Sequence, residues 1–110
     1  MRESSDILTR IDRLCSQASE GRPTGRLLGE MEDLLADGYL EALAREGRSR
    51  RLAERLATLV EIVDQPGAAV EIRQLVLDKR RLDAEVSVLR ERLALMREQF
   101  VRLRALVQSG

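Results

Sequence analysis

Residues 68–109 read AAVEIRQLVLDKRRLDAEVSVLRERLALMREQFVRLRALVQS, and their apolar positions decide the fold. Ile72, Leu75, Lys79, Leu82, Val86, Leu89, Leu93, Met96, Phe100, Leu103 and Val107 follow one another by alternating steps of three and four without a slip. That spacing is the heptad of a helix that lays one apolar seam along a neighbour. The a positions are Ile72, Lys79, Val86, Leu93, Phe100 and Val107; the d positions are Leu75, Leu82, Leu89, Met96 and Leu103.

Upstream, a second stretch carries the same repeat: Leu28, Met31, Leu35, Gly38, Ala42, Arg45, Ser49, Leu52, Leu56, Leu59 and Val63. Its ends are strongly apolar and its middle is weak. Gly29, Gly38 and Gly47 interrupt it, each costing a helix about 1 kcal/mol relative to alanine. Between the two repeats stands Asp64-Gln65-Pro66-Gly67, a Pro-Gly turn signal. Thr24 is a capping residue at the start of the first repeat.

Folding the chain back at 64–67 makes an antiparallel pair in which a faces d. The layers then run from Leu28 with Leu103 through Met31 with Phe100, Gly38 with Leu93 and Arg45 with Val86 to Leu59 with Ile72. Small residues of one helix fall opposite large ones of the other, as close packing requires. Flanking charges agree: Glu41 faces Arg92, Arg48 faces Glu85, Arg55 faces Asp78 and Glu32 faces Arg97. Tyr39 faces Arg90 as a cation–π candidate, and only Glu46 with Asp83 is repulsive. A parallel homodimer of the last helix would instead set Asp78 against Asp83 and Arg92 against Arg97. Residues 24–64 carry six Arg against nine acids, and residues 65–110 nine Lys plus Arg against six, so the arms have opposite net charge. Each arm should be ~60 Å long at ~1.5 Å per residue.

The first 23 residues hold a shorter segment, from about Ser5 to Ser19, with Ser4, Ser5 or Asp6 as candidate caps. Ile7, Leu8, Ile11, Leu14, Cys15 and Ala18 share one helical face. The Gly21–Pro23 linker ties this helix to the open end of the hairpin, where Ile7, Ile11 and Leu14 should cover Leu27, Leu34, Leu40 and Leu106. The expected fold is therefore all-α: a long antiparallel two-helix coiled-coil hairpin (helix 24–64, turn 64–67, helix 68–109) with a short N-terminal amphipathic helix and Gly/Pro linker, 1–23, packed at its open end.

Composition narrows function by exclusion. Charged residues form 35% of the 110-residue chain and aromatics 2%, with no histidine and one cysteine, Cys15. No internal disulfide, zinc cluster, histidine base or Gly-rich phosphate loop follows from that inventory. A two-stranded hairpin encloses no ligand pocket. The expectation is a non-enzymatic protein with no catalytic residues, no cofactor, no metal and no small-molecule substrate. No apolar run has the length of a membrane span, and no signal-peptide pattern is present, so a cytoplasmic location is expected. Basic residues are Arg everywhere but Lys79, a usage that points to a GC-rich bacterial genome.

Two surfaces remain. Val60, Ile62, Val70, Val76 and Leu77 lie near the turn at positions a two-stranded coil would make polar, and Val88 and Leu95 continue that apolar face along the last helix. The short first helix, ~22 Å long, does not reach the turn, so this face is expected to bind a protein partner or a second copy. The second surface is basic: Arg48, Arg50 and Arg51 stand level with Arg80 and Arg81, a possible contact for RNA. Against it, Glu54 and Asp83 are close by and no aromatic is available to stack on bases. The favoured function is a coiled-coil interaction module, acting as a scaffold, an adaptor or a small subunit of a bacterial assembly, that self-associates as a homodimer.

Overall fold

A computed structural model describes the backbone over residues 2–21 and 24–109 and the side chains over 6–21 and 24–108. Three helices account for it: α1 (Arg2–Glu20), α2 (Gly25–Glu61) and α3 (Ala68–Ser109). α2 and α3 form the antiparallel hairpin, α1 packs against both, and the molecule extends over 67 × 20 × 15 Å.

Local chemistry sets most helix ends. Thr24, with extended backbone (φ −121°, ψ 158°), accepts the Leu27 N–H on its Oγ1 at 3.1 Å, which satisfies one of the free donors of the first turn. α2 stops at Glu61, three residues before the expected end at Asp64. From there the chain turns through successive short bonds, Ile62 N–H to the Leu59 carbonyl at 3.1 Å and Gln65 N–H to the Ile62 carbonyl at 2.9 Å. Pro66 keeps Gln65 out of helix, so the helix cannot run on through the turn. Gly67 then takes φ +84°, a left-handed conformation suited to glycine, and its carbonyl receives the first helical bond of α3 from Glu71 at 3.1 Å. The turn thus spans 62–67. α1 begins at Arg2, so Ser4, Ser5 and Asp6 lie within the helix and do not cap it; the side chains of Ser4 and Ser5, and the linker residues Arg22 and Pro23, lie outside the described residues.

The register expected from the heptads is the one observed. Gly38 lies directly against Leu93, so close that a β-carbon at Gly38 would overlap the Leu93 side chain. Met31, Gly38, Ala42, Arg45, Ser49 and Leu59 of α2 are buried, as are Val86, Leu89, Leu93 and Met96 of α3.

α1 runs antiparallel to α2 and alongside α3 in the same direction. Arg10 pairs with Asp37 at 3.8 Å, Asp12 with Arg92 at 2.8 Å, and Gln99 donates to the Cys15 carbonyl at 3.1 Å. Ile7, Ile11, Leu14 and Ala18 bury themselves with Leu27 and Leu34, which occupy g positions of α2. The side of the hairpin that α1 covers is therefore the g flank of the open half. Leu40 and Leu106, which were expected under α1, are 65% and 61% exposed. Leu40 projects away from the seam, some 200° round the helix from Gly38 at ~100° per residue. Leu106 lies about two turns beyond Gln99, where the end of α1 rests. The result is a molecule of two halves: a three-helix apolar core at the open end and a two-helix arm toward the turn.

Candidate functional site

The arm begins where the seam turns polar. Arg45, at a d position, has a side chain only 4% exposed. Its Nε donates to Glu41 Oε1 at 2.8 Å and its Nη1 lies 3.7 Å from Glu85 Oε2, so one guanidinium ties both helices together. One layer on, Ser49 Oγ donates to Asp83 Oδ1 at 2.6 Å, and Lys79 Nζ reaches Asp83 Oδ2 at 2.8 Å. Hydrogen bonds from Lys79 and Ser49 hold the Asp83 carboxyl below its ordinary range. On the same flank Arg90 grips Glu46 with two bonds, at 2.8 and 2.7 Å, which lowers the Glu46 carboxyl in the same way. The expected Glu46–Asp83 repulsion does not form, because each carboxylate finds its own cation.

The expected ladder is redrawn elsewhere too. Arg92 turns to Asp12 of α1, not to Glu41. Glu41 serves Arg45 and Arg48, the latter at 3.8 Å. Arg55 bonds Glu71 at 3.1 Å, while Asp78 accepts from Gln74 at 2.9 Å. Arg90, expected against Tyr39, gives its guanidinium to Glu46.

The five arginines of the basic surface are all exposed. Arg50 and Arg80 occupy b positions, on the e flank with Glu46 and Arg90. Arg51 and Arg81 occupy c positions, on the g flank with Arg48. The hairpin thus divides them between two sides at one level, and no single basic face collects them. No aromatic side chain stands at that level.

The apolar face is laid open. Val70, Leu77 and Leu95 are 71%, 55% and 57% exposed, Val60 and Val88 are also exposed, and Ile62 and Val76 are half-buried. Heptad position resolves these residues into two patches. Val60 and Val76, at e, flank the seam near the turn. Val70, Leu77, Val88 and Leu95, at f and c, form with Ala84 a stripe along the outer surface of α3, nearly opposite the seam. α3 thus carries apolar residues on two faces, and the outer one is left exposed within the chain. At Leu95 the stripe meets α1, where Ile11, Asp12, Cys15 and Gln99 line an open groove.

Two further exposed aliphatic residues, Leu43 of α2 and Val101 of α3, escaped the heptad reading. Leu43 and Val101 at b positions were the available signal. Cys15 is partly buried; burial and then the neighbouring Asp12 carboxylate push its thiol upward, against the pull of Arg92. That is the setting of a packing residue and not of an activated nucleophile.

No family model, curated protein or solved structure matches the chain. Among the described residues no helix is long and apolar enough to cross a membrane, and no cluster of three or more metal-ligating side chains occurs.

Proposed function

We propose that the protein is a non-enzymatic helical interaction module of the bacterial cytoplasm, a scaffold or adaptor that works by protein–protein contact and self-associates. The observation that supports this most is the exposed apolar stripe of α3, which runs from the arm to the edge of α1. Large exposed aliphatic residues in series cost solubility unless they are used. The division of labour is physical. The open end is the stable anchor, with its own core of Ile11, Met31, Leu34, Leu93 and Met96, and the arm carries the binding surface outward.

Sedimentation equilibrium tests the reading. The wild-type protein is expected at a multiple of the 12.4 kDa chain mass, and Leu77→Glu is expected to return it to that mass with its helix content intact. A wild-type mass of one chain at every concentration, or a Leu77→Glu protein indistinguishable in mass from wild type, would contradict it.

A further inference from the structure

We infer that the occupant of the outer face of α3 is a second copy of the chain, its own α3 laid antiparallel along the first about a two-fold axis at the level of Val86. This rests on the self-association proposed above and gives it an address and a register. The outer stripe repeats by steps of three and four just as the seam does, so the same facing rule applies to it. Aligned about the level of Val86, Leu77 meets Leu95 of the second copy and Ala84 meets Val88, each contact occurring twice by symmetry. Arg81 then faces Glu91. Both are exposed, and neither has an ion-pair partner within the chain among the described residues. On the flank Asp78 approaches Arg92, which already holds Asp12. The guanidinium would stand between two carboxylates, one from each chain.

Other arrangements lose these matches. A parallel pair sets Arg81 on Arg81 and Glu91 on Glu91. Sliding the antiparallel pair by one heptad in one direction puts Arg81 against Ala84 and Asp78 against Glu85. Sliding it in the other also finds opposite charges, Arg81 with Glu98 and Glu85 with Arg92, but loses the apolar matching, setting Leu77 against Arg102 and Val88 against Glu91. Glu85 meets its own copy at the axis in the favoured register, but its carboxylate is turned toward Arg45 in each chain. The groove between α1 and α3 has a part in this arrangement. Leu77 of the second copy descends on Leu95 at its rim, so α1 supplies one wall of the contact.

Charge exchange tests the register. Arg81→Glu alone and Glu91→Arg alone each create two like-charge contacts, and each is expected to weaken the dimer about tenfold or more. Mixed in equal amounts, the two variants are expected to form a heterodimer of wild-type strength, because every contact is again opposite in sign. Both side chains are exposed, so circular dichroism should show unchanged helix content. A wild-type protein that is monomeric throughout would remove this inference and the proposed self-association together. A wild-type dimer indifferent to either reversal, or variants that stay apart when mixed, would leave self-association standing and overturn the antiparallel α3 pairing.

Discussion

Leu93→Ala is expected to destabilise the protein by about 2–5 kcal/mol, a large share of the roughly 5–15 kcal/mol that holds a small domain folded. Leu93 is fully buried where all three helices share one core, and it fills the space that Gly38 leaves. The same truncation at exposed Leu77, measured in dilute solution, should change stability by no more than about 0.5 kcal/mol. Gly38 makes the experiment a test of register as well as of burial. On its own, Gly38→Ala sets the ~1 kcal/mol gain in helix propensity against the overlap of its β-carbon with Leu93. With Leu93→Ala in the background that obstacle is gone, and Gly38→Ala should recover about 1 kcal/mol. Non-additivity of this kind is the mark of residues in contact. Denaturant titration of the four proteins in the cycle reads it directly, and strict additivity would mean that Gly38 and Leu93 do not face each other.

Arg45→Ala is the second large effect, expected to cost about 1–3 kcal/mol. It leaves a void in the seam and removes the cation between Glu41 and Glu85. The full cost of a deeply buried broken pair, about 3–5 kcal/mol, is not reached, because both carboxylates keep some contact with water. Arg45→Met should cost less than half as much, since it refills the volume while the carboxylates turn to solvent or to Arg48. Thermal melts of the two variants separate packing from charge: equal losses would show that the ion pairs, not the filled volume, dominate. The polar layer also bears on register. Sliding the hairpin by one heptad would place Arg45 against Lys79 in one direction and Leu93 in the other. Each alternative takes Glu85 away from the buried guanidinium and leaves it Glu41 of its own helix.

The architecture was legible because it is written in short-range rules. An unbroken heptad from Ile72 to Val107, a threonine at a helix start and a Pro-Gly turn each state one local preference, and they agree. The facing layers followed from counting alone, as Gly38 against Leu93 shows. The ion pairs did not, for a reason of reach. Facing-pair rules assign each flank charge one partner, but arginine is long enough to pair a turn or more away. Arg90 therefore crosses to Glu46, Arg55 chooses Glu71, and Arg45 takes up carboxylates from the g flank of both helices although it sits in the seam itself. The placement of α1 was half-legible. Apolar g positions at Leu27 and Leu34 mark the groove it fills, whereas Leu40 and Leu106 resemble them in chemistry and differ only in azimuth or level. The candidate interface was read as one face because all its residues break the two-stranded pattern. Separating it into a flank patch and an α3 stripe took the wheel position of each residue.

On the proposed reading, the open end is stable alone and the arm is steadied by a second copy laid along the outer face of α3. Amide hydrogen exchange at two protein concentrations, one far below and one far above the dissociation constant, tests it most directly. Amides of 27–42 and 89–100 in the three-helix core should be strongly protected at both. Those of 70–88 in α3 should exchange quickly in the dilute sample and slow markedly in the concentrated one. Protection over 70–88 that is the same at both concentrations would contradict the account.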